Sequence, residues 1–454
     1  MNTFTIINPA TAAPVKDISL TDLATTDEII DRAEKAFLKW RQVSPGDRAK
    51  LIRNFASVID SHIEELAKLE VLNSGHTIGN ARWEAGNVRD VLNYYSATPE
   101  RLFGRQIPVP NGIDITFKEP LGVIGVIVPW NFPMPIAGWG FAPALAAGNT
   151  VVLKPAEVTP MTAIRIGELA LEAGIPEGVL NIIPGKGSVV GERFVTNPKV
   201  RKIVFTGSTE VGKKIMRGCS DQVKRLTLEL GGKSANVIFS DADIETAAAR
   251  APGAVFDNAG QDCCARSRLL VQKSIYEKFM SLFEKAVKNF RVEDPSKDSS
   301  EMGPLITSAH LERVKEYVPD EAKVAFRGTK PEGPGFWFPP TVLEVNNVNE
   351  RTYREEIFGP VVSVTTFEDE SDAIVKANDS EFGLSGSIWS RDIGRAVRVS
   401  RAIETGNLSV NSNSSVRYWT PFGGYKQSGL GRELGPDAPD SFTETKNVFF
   451  DTSS

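Results

Sequence analysis

Apolar positions in the first hundred residues recur with the spacing of one helix face, and this pattern predicts a helical layer. Thr26-Asp27 can cap a helix that runs to Trp40, and a long amphipathic helix is expected from Asp47 to Leu72, before Ser74-Gly75. No cluster of reactive side chains stands out in this stretch. We therefore interpret it as a cover for the rest of the fold rather than as part of a site.

Between residues 121 and 231, short apolar runs alternate with helical segments. The runs are 123–128, 150–153, 179–183, 202–205 and 225–228, and the helical segments are 134–147, 159–174, 188–196 and 209–219. This alternation is typical of βαβ units in a parallel, doubly wound sheet. A second alternation of strands and helices begins at 235–239, includes a helix at 275–290, and ends in a glycine-rich loop near 427. The chain is therefore predicted to be an α/β protein with two α/β domains.

One stretch raises the alternative of a membrane span. Segment 121–153 has no formally charged side chain and is longer than the ~20 residues that cross a bilayer. Four prolines and two asparagines within it would break or polarise a single helix. We predict instead a buried strand, a sharp turn, a buried helix and another strand.

Composition and charge exclude several partners. The chain has 454 residues, and 52 Lys and Arg against 57 Asp and Glu give a net charge of −5, so we expect neither a nucleic-acid partner nor an acidic membrane surface. Three cysteines, two of them adjacent, favour a reduced, cytoplasmic setting over a disulfide framework. Three scattered histidines predict no metal site, and no secretory signal is visible at the N-terminus.

Ligands of parallel sheets bind beyond the carboxyl ends of the strands. Glycine-rich turns follow two of the predicted strands, at 184–191 and 206–212, where a helix N-terminus can receive phosphate. Each is also compatible with an ordinary tight turn. Lys154 and Glu157 follow a third strand, and the carboxylate of Glu157 can bind ribose hydroxyls and repel a 2′-phosphate, which favours NAD over NADP. The alternative for this pair is a surface ion pair.

Three side chains are candidates for catalysis. Cys263 lies in segment 256–268 between a helical run and a strand, although most cysteines are buried and inert and no histidine is placed to activate it. Glu229 ends an apolar strand, where desolvation can raise its pKa toward that of a general base; the alternative is a pair with Lys233. Asn131 is an amide in an uncharged stretch, either hydrogen-bonded or an oxyanion donor.

Taken together, these segments resemble the aldehyde dehydrogenase superfamily over almost the whole chain. Residues 256–267 fit the cysteine signature of the family and 228–235 its glutamate signature, and 355–360, 421–426 and 431–433 resemble further family blocks. The resemblance implies a Rossmann-like NAD-binding domain (1–101 and 119–231), a second α/β catalytic domain (232–430) and a β-hairpin oligomerisation element (102–118 and 431–454). It also implies a homodimer or homotetramer.

The resemblance assigns a role to each candidate residue. Cys263 is the nucleophile, Asn131 and the Cys263 N–H form the oxyanion hole, and Glu229 activates water, so that an aldehyde is oxidised through a thiohemiacetal and a thioester. The implied cofactor contacts are Ile127, Val128, Trp130, Lys154, Glu157, Gly187, Gly191, Phe205, Ser208, Val211, Leu230, Glu356 and Phe358. The implied substrate pocket is Phe132, Ile136, Trp139, Asp262, Val416 and Phe422.

One departure from the family pattern concerns proton transfer. Many relatives carry Lys directly after the position of Trp139, where it joins a relay with Glu433, whereas this chain has Gly140. Water can substitute for the missing side chain. The presence of Glu229 argues against the CoA-acylating relatives, which typically lack that base.

The substrate is expected to be an ω-amino-aldehyde. Asp262, beside the nucleophile, can bind an ammonium group, and 260–263 resembles the bacterial aminobutyraldehyde and betaine aldehyde dehydrogenases. The alternative for Asp262 is a helix cap or a pair with Arg266 or Arg268. Arg417 can instead attract a carboxylate, which favours a semialdehyde that carries one as the substrate. A general aliphatic aldehyde is a third possible substrate. A non-catalytic, crystallin-like protein is the alternative of a different class.

Overall fold

The computed structural model describes residues 3–414 and 416–453. Met1, Asn2, Ser415 and Ser454, which fall in the predicted domain ranges, lie outside the described residues. Helices and strands of the first half are β1 (Thr3–Ile7), β2 (Pro14–Ser19), α1 (Leu23–Trp40), α2 (Pro45–Ser61), α3 (Ile63–Ser74), α4 (Ile78–Tyr95), β3 (Gln106–Val109), β4 (Gly112–Pro120), β5 (Val123–Ile127), α5 (Pro133–Ala146), β6 (Thr150–Lys154), α6 (Met161–Glu172), β7 (Leu180–Ile182), α7 (Glu192–Thr196), β8 (Val200–Thr206), α8 (Thr209–Ser220) and β9 (Arg225–Glu229).

The second half continues the alternation of strands and helices. Its elements are β10 (Ala235–Ile238), α9 (Ile244–Phe256), β11 (Arg268–Gln272), α10 (Tyr276–Asn289), α11 (Ser308–Glu316), β12 (Val324–Arg327), β13 (Thr341–Glu344), α12 (Arg351–Arg354), β14 (Val361–Phe367), α13 (Glu370–Asn378), β15 (Phe382–Gly383), β16 (Ser385–Trp389), α14 (Ile393–Ala402), β17 (Asn407–Val410), β18 (Tyr425–Lys426), β19 (Gly429–Leu430) and β20 (Thr443–Asp451).

The first large sheet has the order β19-β9-β8-β5-β6-β7, with β19 antiparallel and the other strands parallel. The chain moves outward from β5 through β6 to β7, and then returns to the other side of β5 for β8 and β9. The strand order therefore reverses between β5 and β8, and ligands of such sheets bind outside the carboxyl ends of the strands at this switch point.

The second large sheet has the order β12-β13-β14-β11-β10-β16-β17 and is parallel except for the edge strand β12. A third, antiparallel sheet consists of β20, β4 and β3, and its β3–β4 hairpin turns at Pro110 and Asn111. Both large sheets are parallel and covered by helices, which is the reason why their strands are continuous apolar runs.

The uncharged segment that raised the membrane alternative forms β5, α5 and β6. All 14 residues of α5 are buried, because helices and sheet enclose it on every side. None of the helices in the described part of the chain is long and apolar enough to cross a membrane. Helix α5 is short because of its prolines and because the chain turns tightly after it at Gly148, whose φ is 93°.

Two predictions for the N-terminal region were wrong in detail, and one element there was missed. Helix α1 begins before Thr26, because Asp22 is the cap and accepts a hydrogen bond from the N–H of Thr25 at 2.8 Å. The expected long helix from Asp47 to Leu72 is two helices, since His62 leaves helical geometry at φ −116° and ψ 14°. The hairpin β1–β2, which precedes α1, was not expected at all.

A further difference concerns the helix that was predicted over 188–196. The predicted helix over 188–196 consists of a π-helical turn at Gly187–Gly191 followed by α7. Gly187 is the first residue of this turn, so its N–H is not used within the turn. It bonds a side chain from the neighbouring loop, as described below.

Candidate active site

The loop that carries Cys263 is folded into an unusual backbone conformation. Asn258, Ala259 and Gly260 have φ values of 49°, 55° and 68°, a left-handed region that costs residues with a β-carbon about 1–2 kcal/mol each. The side-chain amide of Asn258 compensates by donating to the carbonyls of Asn131 at 2.8 Å and Gln261 at 3.2 Å. These bonds hold the nucleophile loop against the loop that follows β5.

Two hydrogen-bond donors converge near the Cys263 thiol. Asn131 is 4% exposed and its Nδ2 donates one hydrogen to the carbonyl of Gln261 at 3.1 Å, which leaves its second hydrogen for another acceptor. None of the hydrogen bonds among the described residues uses the N–H of Cys263. An amide and a main-chain N–H of this kind can stabilise an oxyanion that forms at the thiol.

The thiol of Cys263 is protonated in this arrangement. A hydrogen bond with Cys264, together with burial and the negative charge of Asp262, raises the pKa of the Cys263 thiol well above its usual value. Attack by sulfur therefore requires a base that removes the proton or a positive charge that arrives with a ligand.

Glu229 meets the requirements for such a base. It ends β9, is 2% exposed, and neither carboxylate oxygen has a hydrogen-bond partner among the described residues. Burial and the nearby carboxyl group of Glu433 raise the pKa of Glu229 well above its usual value. An unpaired, desolvated carboxylate that lines the same cavity as Cys263 is suited to take a proton from a thiol or from water. The alternative pair with Lys233 is not formed, because Lys233 Nζ donates to the carbonyl of Thr352 at 2.8 Å.

Glu433 is a second buried carboxyl group on the wall of this cavity. It is 5% exposed, neither of its oxygens has a partner among the described residues, and burial raises its pKa to about 8. The positive charge of Lys202 opposes that rise. Lys202 is itself buried, and its Nζ donates to the carbonyl and the hydroxyl of Ser441 at 3.0 and 2.9 Å.

Gly140 cannot be replaced by a larger residue without a rearrangement. A β-carbon at this position would lie 2.7 Å from Cγ1 of Val126, a buried strand residue. The lysine that many aldehyde dehydrogenases carry here is therefore sterically excluded, and Lys202 is the cation whose charge reaches Glu433 instead. Sequence reasoning missed Lys202 because it lies on β8, far along the chain from both Gly140 and Glu433.

We expect the release of product to depend on pH through Glu229. Only the ionised form can act as a base, so the rate should rise with pH through the elevated pKa of Glu229. Glu433→Gln removes a carboxyl group that raises this pKa, and should move the rising limb of the pH–kcat profile to lower pH. The profile is to be measured for the wild type and Glu433→Gln under conditions where release of the acyl group limits turnover. An unchanged limb, or a limb at higher pH, would contradict the coupling.

A cavity of about 400 Å³ leads to Cys263 from the outside. All six residues predicted for the substrate pocket line it: Phe132, Ile136, Trp139, Asp262, Val416 and Phe422. The rings of Trp139 and Phe422 contact each other at a centroid distance of 5.4 Å. Most of the wall is apolar, so its few charged groups determine which chemical class of substrate can bind in the cavity.

The wall also contains residues that were not predicted for the pocket, among them Asn80, Trp83, Asp257 and Arg266. The first two belong to α4, in the region that the sequence analysis interpreted as a cover only, and that interpretation was wrong for this helix. Helix α4 contributes to the cavity because its side chains pack across the nucleophile loop: Asn80 Nδ2 donates to Asp257 Oδ1 at 2.6 Å. The presence of Asp257 within the cysteine segment was a signal that could have been used.

A second cavity of about 470 Å³ opens at the switch point between β5 and β8. It shares Thr206 and Cys263 with the first cavity, so the two meet at the thiol. The predicted cofactor residues that line it are Trp130, Ser208, Leu230, Glu356 and Phe358. Glu356 accepts a hydrogen bond from the N–H of Gly232 at 2.7 Å, and burial raises its pKa to about 7.

The features of this second cavity fit a dinucleotide. Ser208 caps α8, so the free N–H groups of the first turn of α8 face the carboxyl end of the sheet and can receive a pyrophosphate. Thr206 Oγ1 is buried without a partner among the described residues, and is available to a ligand. A β-carbon at Gly231 would lie 2.5 Å from Oε2 of Glu356, so the backbone there is kept small beside the groove.

The remaining predicted cofactor residues lie at the same edge of the sheet but outside the lining of the second cavity. Glu157 Oε1 accepts from the N–H of Gly187 at 3.0 Å, which joins the loop after β6 to the π-helical turn. Lys154 is buried, and its Nζ donates to the carbonyl of Pro155. The others are Ile127, Val128 and Phe205 on or beside β5 and β8, Gly191 at the end of the π-helical turn, and Val211 in the first turn of α8.

Two groups of side chains have the composition of metal ligands. Asp262, Cys263 and Cys264 form one, and Glu70, His76 and Glu84 form the other, with ligand atoms within 4.8 Å of one another in each group. The first group belongs to the nucleophile loop. The prediction that the chain holds no metal stays a prediction.

Comparison with known proteins identifies the family of this chain. The model of the aldehyde dehydrogenase family matches residues 1–448. The chain belongs to the aldehyde dehydrogenase family. It is 40% identical to a betaine aldehyde dehydrogenase of Bacillus subtilis (strain 168) over 459 residues, which cover 98% of this chain and 94% of the relative.

Further relatives agree with this assignment. A solved structure of betaine aldehyde dehydrogenase from Staphylococcus aureus in complex with NAD⁺ superposes with a TM-score of 0.97 and 38% identity, and covers 100% of this chain and 92% of that one. The chain is also 39% identical to a cytosolic 10-formyltetrahydrofolate dehydrogenase of Xenopus laevis, of which it spans about half, with 97% of this chain and 51% of the relative covered.

Family membership confirms the predicted fold class and the predicted enzyme class. The chain has the aldehyde dehydrogenase fold, with a Rossmann-like sheet and a second α/β sheet, and is an oxidoreductase that acts on aldehydes. The non-catalytic, crystallin-like alternative finds no support among the relatives.

Proposed function

We propose that this aldehyde dehydrogenase oxidises an ω-amino-aldehyde to the corresponding amino acid with NAD⁺ as the oxidant. The observation that carries the proposal is the charge of the cavity that leads to Cys263. Four acidic groups line it, those of Asp257, Asp262, Glu229 and Glu433, together with one cation, Arg266, whereas Arg417 is exposed and does not line it. A cavity in which acidic groups outnumber cations attracts an ammonium group and repels a carboxylate.

The hydrogen bonds of the two aspartates support this role. Asp262 Oδ1 accepts from the N–H of Cys264 at 2.8 Å, so the carboxylate is fixed beside the nucleophile. Asp257 Oδ1 accepts from Asn80 and from the N–H of Asn258. Each aspartate therefore has a second oxygen that can face a cation. The rings of Trp139 and Phe422 add a surface that favours cations.

The first half of the reaction takes place at the thiol. Water carries the proton of Cys263 away from the thiol, and the sulfur attacks the aldehyde carbon to give a thiohemiacetal. The negative charge that develops on oxygen is stabilised by Asn131 Nδ2 and by the N–H of Cys263. When bound, NAD⁺ supplies the acceptor for the hydride that leaves this carbon, and Glu356, Phe358 and Trp130 line the groove that would hold it beside the thiol.

The second half releases the product. Loss of the hydride leaves a thioester on Cys263, and Glu229 takes a proton from a water molecule that attacks the thioester carbon. The C–S bond then breaks, the carboxylic acid leaves, and the thiolate is restored. Overall, one aldehyde, one water and one NAD⁺ give one carboxylate, one NADH and two protons.

A preference for NAD over NADP is part of the proposal. The carboxylate of Glu157 lies at the carboxyl end of the sheet, and one of its oxygens is engaged by the N–H of Gly187. Its other oxygen is available to ribose hydroxyls, and its charge opposes a 2′-phosphate.

We also propose a homodimer or homotetramer in a reducing, cytoplasmic setting. The sheet formed by β3, β4 and β20 presents exposed apolar side chains: Ile107, Ile113, Phe117, Phe449 and Phe450. Such a surface is suited to a second copy of the chain. All three cysteines are free thiols, which agrees with a reducing compartment.

The substrate proposal predicts a specific loss for aspartate variants. Asp262→Asn and Asp257→Asn should each lower kcat/KM for 4-aminobutyraldehyde by about 10-fold or more, because each removes a charged partner of the ammonium group. The value for hexanal, which has no charge, should stay within about 3-fold. Initial rates of NAD⁺ and NADP⁺ reduction with 4-aminobutyraldehyde, betaine aldehyde, succinic semialdehyde and hexanal provide the measurement.

Arg417→Ala is the matched control. It lies outside the cavity lining, so it should change none of the four rates. The ω-amino-aldehyde proposal must be abandoned if the preference for cationic over neutral aldehydes is absent, or if neither aspartate variant reduces it. A preference for succinic semialdehyde that Arg417→Ala removes would favour the semialdehyde alternative.

A further inference from the structure

Helix α11 borders the second cavity beside the loop 355–360, which carries two of the predicted cofactor residues, Glu356 and Phe358. The cavity is lined from this side by Thr307, Ala309, His310 and Arg313. Thr307 caps the helix and accepts a hydrogen bond from the N–H of His310 at 3.1 Å, so the first turn of α11 is fixed. No covalent step of the reaction uses a side chain of this helix, and its contacts with the loop indicate what it contributes.

Two side chains from this part of the chain bond the loop. Nε2 of His310 lies 2.7 Å from the carbonyl oxygen of Phe358, and since a carbonyl can only accept, Nε2 carries the hydrogen and donates it. The hydroxyl of Tyr317, directly after α11, donates to Oε2 of Glu355 at 2.7 Å. Among the described residues, no other donor reaches the carbonyl of Phe358. His310 therefore holds the loop at a residue that lines the cavity.

The conformation of Phe358 explains why its carbonyl needs to be held. Its φ is 58°, in the left-handed region that a residue with a β-carbon occupies only when the surrounding structure enforces it. A hydrogen bond to the carbonyl of the same residue fixes the orientation of the peptide unit that follows. Loss of this bond should therefore let the backbone relax toward an ordinary conformation and move the Phe358 ring.

The loop packs closely against both α11 and the nucleophile loop. A β-carbon at Gly359 would lie 2.6 Å from Cγ2 of Val314, which is fully buried on α11. In addition, a β-carbon at Gly260 would overlap the carbonyl oxygen of Gly359. Because main chain meets side chain and main chain without space between them, the position of the loop also sets the width of the groove beside Cys263.

Three aromatic rings meet at this wall of the cavity. The ring centroid of Trp130 lies 5.3 Å from that of His310 and 5.3 Å from that of Phe358, and the centroids of the latter two are 6.3 Å apart, all in edge-to-face contacts. All three residues line the cavity that also reaches Cys263. Contacts of this geometry favour one arrangement of the rings. His310 thus contacts Phe358 twice, at its carbonyl and at its ring.

We propose that His310 is a positioning residue for the oxidation step: its hydrogen bond to the carbonyl keeps Phe358 in the left-handed conformation, so that the rings of Phe358 and Trp130 hold the nicotinamide half of NAD⁺ beside Cys263. The inference rests on the proposed function, in which NAD⁺ is the oxidant and these two rings line its groove. A displacement of about 1 Å at the reacting groups can cost about 100-fold in rate, so loss of this bond should be visible in hydride transfer as well as in binding.

Two amide variants separate the hydrogen bond from the polarity of the side chain. The amide of glutamine reaches about as far as Nε2 of the imidazole and that of asparagine about as far as Nδ1, so His310→Gln keeps the bond and His310→Asn loses it. We expect His310→Asn to weaken NAD⁺ binding by about 10-fold and to slow the burst of NADH formation at saturating NAD⁺ by about 10- to 100-fold. His310→Gln should stay within about 3-fold of wild type in both measurements.

Isothermal titration calorimetry of the purified variants provides a readout without turnover. AMP, which has only the adenosine half of NAD⁺, should bind both variants within about 2-fold of wild type, because Lys154 and Glu157 lie outside the cavity that His310 lines. An equal loss of affinity for AMP and NAD⁺ in His310→Asn would indicate a general disturbance of the fold and would overturn the proposal.

A double-mutant cycle with Phe358→Ala tests whether His310 acts through Phe358. If it does, His310→Asn should have no further effect on NAD⁺ binding or on the burst in the Phe358→Ala background. Equal losses in both backgrounds would show that His310 acts by another route, and the proposal would be wrong. If Phe358→Ala alone changes neither quantity, the role of Phe358 in the proposed function fails instead.

A further variant covers the case in which His310→Asn does not fold. His310→Leu fills most of the volume of the imidazole and has no donor, so it takes the place of the asparagine variant in every comparison. A variant without the donor that binds NAD⁺ and forms the burst of NADH as His310→Gln does would overturn the proposal.

Discussion

Cys263→Ala is expected to abolish turnover, with a fall in kcat of at least about 10⁴-fold. Among the described residues, Cys263 and Thr206 line both cavities, and a thiol is a much stronger nucleophile than a hydroxyl group. Alanine leaves the fold intact because Cys263 is partly exposed to the cavities. NAD⁺ binding, followed by protein fluorescence, should persist in this variant, and NADH formation from aldehyde should not.

Cys264→Ala is the matched control for this variant. Cys264 is adjacent, is 5% exposed, and hydrogen-bonds the Cys263 thiol, which raises the pKa of that thiol. Its replacement should leave kcat within about 10-fold of wild type, because no covalent step uses its sulfur. If Cys264→Ala were the inactive variant and Cys263→Ala the active one, the assignment of the nucleophile would be wrong.

Glu229→Gln is expected to separate the two halves of the reaction. The first turnover should still release close to one equivalent of NADH per site, and steady-state turnover should fall by about 10²- to 10⁴-fold. Glutamine preserves the shape of this buried side chain but cannot take a proton from water, so the thioester accumulates. Rapid-mixing measurements of NADH absorbance give both the burst and the subsequent rate.

The control for Glu229→Gln is Glu433→Gln, the other unpaired carboxyl group on the same wall. That variant should keep both phases, since Glu433 influences the reaction through the pKa of Glu229. A normal steady-state rate in Glu229→Gln would show that another group activates water. A lost burst would show instead that Glu229 is indispensable for deprotonation of the thiol, and the mechanism would then place it in the first half as well.

The charged groups around the site share one physical origin. Glu229, Glu433 and Lys202 are buried and Glu356 is partly buried, and desolvation moves the pKa of each toward the neutral form. The pKa values of Glu433, Glu356 and Lys202 become about 8, 7 and 7, so these three groups exchange protons near neutral pH, which ordinary carboxylates and lysines do not. The protein therefore tunes its acid and base groups by where the sheet and the nucleophile loop enclose them.

Much of the fold could be read from local patterns. The strands β5, β6, β8 and β9 and the helix α10 fall close to their predicted ranges, because continuous apolar runs bounded by turn residues are a strong signal. The end of α1 was predicted and its beginning was not. Two neighbouring candidates, Asp22 and Thr26, can both cap a helix, and only the backbone geometry decides between them.

The candidate site was predicted unevenly. The sequence pointed to Cys263, Glu229 and Asn131 by their motifs, and the structure places Cys263 with Glu229 on the first cavity and with Asn131 on the second. It did not point to Asp257 or Lys202, each of which matters through a neighbour distant in the chain, Asn80 and Glu433 respectively. Such pairs carry no signal in the spacing of residues.

By itself, the sequence determined the family, the alternation of strands and helices, and the identity of the reactive groups, because these depend on periodicity and on short motifs. Only the tertiary structure decided how these groups are tuned. It buried Glu229 and Glu433 on one wall and excluded a side chain at Gly140 by contact with Val126. The physical reason is that pKa values, steric exclusion and hydrogen-bond geometry depend on distances through space, which local order along the chain does not contain.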